Sequence, residues 1–160
     1  MHDKCIFERP PRRPGGAAMI RSSALIPLSR EHHEALVLAR RACEPLRPGA
    51  EPSALRDRLL QRWPSVFEPH FAVEEEVLLP ALAAAGAADI AASGRAQHDH
   101  LRSLVARLRA GELAVLPAWG EAMRSHVRWE ERELFPRAQA LLDLPRLEQA
   151  LQRPFEVATP

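Results

Sequence analysis

Apolar positions along the chain recur at the spacing of amphipathic helices. They are Leu25, Leu28, Leu36, Ala39 and Cys43 in a first stretch, then Trp63, Val66, Val73 and Val77 in a second. Such spacing places the apolar side chains on one helical face. The pattern therefore predicts helices whose ends are marked by the proline and glycine residues between the periodic stretches.

Four long helices and a short fifth are expected from these breakers. The first covers about 29–44, from a Ser29 N-cap to Pro45 and the Pro48-Gly49 turn. The second follows Pro52-Ser53 and runs to about 85, the third covers about 87–110, the fourth covers about 117–142, and the short one covers about 146–152. Prolines inside the second predict a kink near Trp63 to Pro69. Short links between long helices favour an all-α, up-down-up-down four-helix bundle over residues 23–160.

Residues 1–22 are expected to form a flexible N-terminal extension, because they are rich in proline and glycine and have no periodic apolar face. Met19 is a candidate alternative start. No apolar run has the length of a membrane span, and no apolar signal segment follows the N-terminus, so the cytoplasm is the expected location.

The composition agrees with helices, since 46% of the residues are hydrophobic, 5% are aromatic and none is tyrosine. Alanine, leucine, arginine and glutamate dominate, and these residues lose little side-chain conformational entropy on entering a helix. The formal net charge of +1 gives no case for a nucleic-acid surface.

One motif occurs twice, as HFAVEEEVLLP from His70 and as HVRWEERELFP from His126. Both read H-Φ-x-Φ-E-E-x-x-L-Φ-P, where Φ is apolar. Residues four apart lie above one another on a helix, so His70 with Glu74, and His126 with Glu130, present an imidazole and a carboxylate to one point. A single such pair is typical of a solvated surface. Here the motif is duplicated and lies on the apolar face of the helix, which points into the core. An unpaired carboxylate there would cost several kcal/mol of stability, so a bound cation is favoured.

Two further histidines lie on apolar stripes of the other helices. His32 lies centrally on the first stripe, whereas His33 is rotated by about 100° toward the rim, so His32 is preferred and His33 is kept as an alternative. On the third helix His98 is preferred over His100. The candidate metal ligands are then His32, His33, His70, Glu74, His98, His126 and Glu130. Imidazoles and carboxylates without thiolates suit iron, manganese or zinc, and two carboxylates that can bridge favour two ions.

The segments SREHHEAL, HFAVEEEVLLP, QHDHLRSL and HVRWEERELFP, in this order and spacing, resemble the hemerythrin-like HHE cation-binding domain over about residues 25–142. The resemblance implies a four-helix bundle with two non-haem irons joined by an oxo or hydroxo bridge, with manganese or zinc as lesser alternatives. It also implies that Glu74 and Glu130 bridge the irons and that His32, His70, His98 and His126 are terminal ligands.

Two departures separate the chain from oxygen-carrying members of that family. Where the carriers have a second histidine on the third helix, this chain has Arg102, and His33 is a candidate replacement. Where they have an aspartate five residues after the fourth-helix histidine, it has Glu130 at a spacing of four. The expected function is therefore binding or sensing of O2, NO, peroxide or iron itself. The alternatives are a di-iron oxidase, peroxidase or iron-handling protein, or a metal-free helical interaction module.

Overall fold

The computed structural model describes residues 21–44 and 51–152. Within these ranges the chain is helical and contains no strand, so the all-α prediction is confirmed. The predictions made for residues 1–20, including Met19, and for the break at Pro45 and Pro48-Gly49 lie outside the described residues. No described helix combines the length and apolar character that a membrane span requires.

The described residues form five helices. Helix α1 spans Ile26–Ala42 and α3 spans Ala88–Arg109. Helix α2 runs without a break through Pro52–Arg62, Trp63–Phe67, Glu68–Val73, Glu74–Leu78 and Leu79–Ala84. Helix α4 joins Leu116–Trp129, Glu130–Leu134 and Phe135–Leu141, and α5 spans Leu144–Leu151. The 3-10 turns Ser23–Leu25 and Leu113–Val115 precede α1 and α4.

Proline and glycine residues set the helix ends. Helices α1, α2, α4 and α5 each have a proline in the first turn, where the missing N–H costs nothing. Gly86 and Gly111 follow α2 and α3 with φ near 91°, a left-handed conformation that closes a helix. Helix α1 begins three residues before Ser29, so the predicted Ser29 N-cap is wrong: Pro27 fixes the first turn instead.

Within the described helices, three turns are widened to the π form, at Trp63–Phe67, Glu74–Leu78 and Glu130–Leu134. In each, the residue before a proline donates its N–H to the carbonyl five residues earlier: Glu68 to Trp63, Leu79 to Glu74 and Phe135 to Glu130. A proline lacks an N–H and its ring clashes with the carbonyl four residues back, so a wider turn accommodates it. The region of the expected kink contains the first of these turns.

The core consists of two apolar clusters with a polar layer between them. The first cluster contains Trp63, Phe71 and Trp119, and the second contains Leu79 and Phe135. Helices α1 and α3 lead from the second cluster to the first, and α2 and α4 lead back. The histidines and glutamates of the repeated motif lie in the layer where the helices pass from one cluster to the other.

The apolar stripe predicted for α1 is wrong at one position. Leu36 is 39% exposed, whereas Leu38 is fully buried with 0% exposure. The stripe that packs inside is Leu28, Ala35, Leu38, Ala39 and Ala42.

Close packing of α1 on α4 predicts that Gly120→Ala will destabilise the protein. An added Cβ would lie 2.6 Å from the Ala39 carbonyl oxygen, and that backbone can move only if the helices separate. We expect the free energy of unfolding to fall by about 1–3 kcal/mol in urea titrations.

Gly94→Ala is the matched control, because its Cβ would meet only the flexible ends of Leu79, at 3.1 Å, and the Trp129 ring. Its better helix propensity, worth about 1 kcal/mol, should offset that contact. Equal losses in both variants would contradict this account of the α1–α4 contact.

Candidate metal centre

Six polar side chains from four helices meet in the layer between the apolar clusters. They are His32 of α1, His70 and Glu74 of α2, His98 of α3, and His126 and Glu130 of α4, each with at most 6% of its surface exposed. His33 lies on the exposed face of α1 because it is one residue further around the helix, and the structure does not bring it to this cluster. His100 is likewise exposed.

The inner atoms of these side chains lie close together around the two carboxylates. Glu130 lies 2.8 Å from His32 Nε2 and 2.9 Å from His126 Nε2, through different oxygens. Glu74 lies 3.2 Å from His98 Nε2 and 3.6 Å from His70 Nε2, again through different oxygens. Glu130 also lies 4.0 Å from His98 Nε2, so Glu74 faces two histidines and Glu130 faces three.

The cluster divides into two groups with ligand atoms within 4.8 Å of one another. One contains His32, His70 and Glu130, and the other contains Glu74, His98, His126 and Glu130. The imidazoles also form two pairs, with ring centroids 5.3 Å apart for His32 and His70 and 4.9 Å apart for His98 and His126. Glu130 belongs to both groups.

The hydrogen bonding of the inner atoms tests whether a cation fits. The Nε2 atoms of His32, His98 and His126, and both oxygens of Glu74 and of Glu130, are buried without a well-formed hydrogen bond among the described residues. Leaving a buried polar atom unpaired costs about 1–3 kcal/mol, and more for a charged one. Convergent, unpaired nitrogen and oxygen atoms are what metal ions require, so the donor set fits a metal.

Each histidine is oriented by an acceptor on its outer nitrogen. His32 Nδ1–H donates to Glu131 at 2.9 Å, and His70 Nδ1–H donates to Glu31 at 2.7 Å. His98 Nδ1–H donates to Glu75 at 2.7 Å, and His126 Nδ1–H donates to Gln97 at 3.2 Å. A proton on Nδ1 leaves the Nε2 lone pair directed inward, which is the form that binds a metal.

These four acceptors were not among the residues predicted from the sequence. A signal was present, because each one is adjacent to a predicted ligand in Glu31-His32, Glu74-Glu75, Gln97-His98 and Glu130-Glu131. Adjacent residues on a helix differ by about 100° in direction, so one points inward and its neighbour points toward the next helix. The acceptors therefore act on histidines of neighbouring helices.

In a comparison with family models, residues 25–138 match the hemerythrin HHE cation binding domain. The chain belongs to this family. Comparisons with curated proteins and with solved structures gave no significant match. In this hemerythrin domain the matched residues include all six members of the buried cluster.

Arg102, which stands where the carriers have a further histidine, points away from the cluster. Its Nε donates to Glu68 at 2.8 Å, and its Nη1 donates to Glu75 at 2.8 Å. Burial raises the pKa of Glu75, but the hydrogen bonds from Arg102 and His98 outweigh that effect and lower it. Arg102 thus holds the carboxylate that orients His98.

The buried charges shift the pKa values of the inner groups. Burial lowers the pKa of His70, but Glu74, Glu31 and Glu130 outweigh it and raise that pKa to about 9. Burial likewise lowers the pKa of His98, and Glu130 and Glu74 raise it to about 10. Burial and the facing Glu130 raise the pKa of Glu74.

Glu130 behaves in the opposite way. Burial raises its pKa, but His126, His32 and His98 outweigh that effect and hold it well below its ordinary value. Without a metal, protons on His70 and His98 therefore supply positive charge beside these carboxyl groups.

These shifts predict that metal-free protein loses stability as the pH rises from about 6.5 to about 10. In that window folded His70 and His98 hold protons that the unfolded chain has released, so the free energy of unfolding falls with increasing pH. The lowered pKa of Glu130 acts only below about pH 4.5, where stability falls as the pH falls. Urea titrations of chelated protein across this range provide the measurement.

His98→Gln is the informative variant, because it removes the group with the larger shift and should flatten the slope. His100→Gln on the exposed face of α3 is the control and should leave the slope unchanged. A stability that rises between pH 6.5 and 10 would contradict the assignment of charges.

Proposed function

We propose that the chain binds two metal ions, with iron as the natural occupant, between α1, α2, α3 and α4. The observation that carries this proposal is the set of unpaired inner atoms on Glu74, Glu130 and three histidines. Two buried carboxylates facing each other require more than one positive charge, and their four oxygens can each reach a cation. The family supports a cation without specifying which one.

The pairing of the imidazoles supports two ions rather than one. His32 and His70 would hold one ion, His98 and His126 would hold the other, and Glu74 and Glu130 would bridge them. Each ion then has two imidazole and two shared carboxylate ligands, whereas a mononuclear site uses three or four ligands in all. We infer that α1–α4 form the up-down-up-down bundle around this pair within residues 23–160, with α5 as an addition.

A small cavity beside the cluster supports a small exogenous ligand. It is lined on its apolar side by Ala35, Phe67, Phe71, Met123 and Val127, and on its polar side by Glu31, His32, His70, His126 and Glu130. Its volume is about 10 Å³. A space of that size admits about one water molecule, so it excludes large substrates. A ligand of two heavy atoms, such as O2, NO or peroxide, would enter with a small movement of the lining side chains.

Bound iron would supply open coordination positions and redox chemistry at the edge of this cavity. The chain itself would hold the histidine rings through their Nδ1 acceptors and exclude bulk water with the two phenylalanines and Met123. This arrangement favours binding or sensing of O2, NO or peroxide, or a signal given by iron occupancy itself. Carboxylate-rich di-iron oxidases use mostly glutamates, so four imidazoles with two carboxylates favour sensing over turnover.

The bridging assignment predicts that Glu74→Gln with Glu130→Gln will abolish two-metal binding. The amide keeps the volume and removes the charge that each ion requires. Iron per chain, measured after reconstitution and gel filtration, should fall from two to below one. Glu76→Gln with Glu133→Gln is the control, because both residues are exposed and lie in the same two π turns. Two irons per chain in the buried double variant would refute the bridging role.

The cavity predicts that Ala35→Val will block ligand binding without loss of iron. Ala35 lines the cavity and is 4% exposed, so two added methyl groups would take up volume that the ligand needs. We expect at least a tenfold slower association of NO with the reduced, iron-loaded protein in stopped-flow spectra. Ala91→Val, equally buried in the second cluster, is the control. Unchanged association in Ala35→Val would place the ligand elsewhere.

A further inference from the structure

Four residues accept a hydrogen bond from the Nδ1–H of a candidate ligand histidine, and we call them the histidine supports. Two of them, Glu75 and Glu131, are themselves held by an arginine. Glu75, which accepts from His98, also accepts from Arg102 Nη1 at 2.8 Å and Nη2 at 3.2 Å. Glu131, which accepts from His32, also accepts from the guanidinium of Arg21 and from Ser29 Oγ at 2.6 Å. In both cases one carboxylate joins an arginine to a histidine.

A phenylalanine completes each of these arrangements. The Phe71 ring stacks on His98 with centroids 4.0 Å apart and an interplanar angle of 11°, and Arg102 lies over Phe71 at 5.7 Å. The Phe135 ring stacks on His32 at 5.5 Å and 3°, and Arg21 lies over Phe135 at 4.9 Å. Each arginine therefore contacts both groups that fix the plane of one imidazole.

Within the described part of the chain, the other two candidate ligand histidines, His70 and His126, lack this arrangement. His70 donates to Glu31, which is 45% exposed and has no arginine contact among the described residues, and His126 donates to the neutral amide of Gln97. His98 and His126 form one imidazole pair and His32 and His70 form the other. One member of each pair is thus supported by an arginine.

We propose that Arg21 and Arg102 are matching positioning residues, one for each metal position. Arg102 would fix His98 through Glu75 and Phe71, and Arg21 would fix His32 through Glu131 and Phe135. Arg102 holds the Glu75 carboxylate at two points and so restricts its rotation, which a lysine cannot do equally well. Arg21 holds one oxygen of Glu131, and Ser29 Oγ and His32 hold the other. This inference rests on the proposed two-metal site and adds to it a residue, Arg21, that lies before the family-matched range.

The two arginines differ in their other contacts and in their place in the fold. Arg102 is also anchored by Glu68, whose other oxygen accepts from Trp63 Nε1 at 2.8 Å. Arg21 lies in the segment before the Ser23–Leu25 turn, so it links that segment to the metal layer. Because the two contacts are on different helices, substitutions of Arg21 and Arg102 should act independently.

The test compares Arg21→Gln, Arg102→Gln and the double variant after loading with ⁵⁷Fe. In Mössbauer spectra each single variant should alter about half of the iron absorption, and the double variant should alter nearly all of it. Loss of such a hydrogen-bonding partner typically lowers metal affinity about 10–100-fold. With unchanged association, the altered half should therefore release iron to a chelator about 10–100-fold faster. Arg21→Lys and Arg102→Lys should recover part of the wild-type release rate.

Arg62→Gln is the matched control, since Arg62 makes a two-point contact with Glu34 between α1 and α2 and no described histidine contacts either residue. A spectrum and release rate equal to those of this control would overturn the inference, as would changes at the same half of the iron in both single variants. If an Arg→Gln variant fails to fold, the corresponding Arg→Lys variant is compared with the wild type and with the control instead. Wild-type protein that binds no metal would overturn the proposed function and this inference together, whereas two ions with unaffected variants would overturn only the inference.

Discussion

Two carboxylates, Glu74 and Glu130, face each other in the buried interior, and the rest of the structure is arranged around that constraint. Neither is exposed, and neither has a well-formed hydrogen bond among the described residues. An isolated buried charge is costly, so it must be neutralised: by protons in the metal-free protein, or by cations in the loaded one. Four helices each contribute an imidazole to the same layer, and apolar clusters close it above and below.

The supports around this layer follow from helix geometry. A candidate ligand and its neighbour in the chain point in directions about 100° apart. One of the two therefore points into the metal layer, while the other accepts a hydrogen bond from a histidine of the next helix. Glu31 beside His32 orients His70, and Glu75 beside Glu74 orients His98. Gln97 orients His126, and Glu131 orients His32, which closes the ring from α1 through α4 back to α1. This closed circle of hydrogen bonds explains why the repeated motif contains two adjacent glutamates: the first is a candidate ligand, and the second orients a histidine of another helix.

The sequence allowed the prediction of the helices, the buried motif pairs and the preference for His32 and His98, since all of these depend on periodicity within one helix. Ser29 shows where local rules fail, because Pro27 starts α1 earlier and Ser29 Oγ instead bonds Glu131 of α4. Leu36 was misassigned because α1 turns Leu38 inward. The contacts of the histidine supports and of the two arginines depend on distances between helices, and the periodicity of one helix gives no information about those distances. The ligand assignment of the six residues stays a prediction.

Anomalous diffraction at the iron edge, from crystals of the iron-loaded protein, tests the central claim most directly. The account predicts two peaks roughly 3.5–4 Å apart. One should lie beside His32 and His70, and the other beside His98 and His126, with Glu74 and Glu130 between them. No peak in this layer, a single peak, or iron bound only at the protein surface would contradict it.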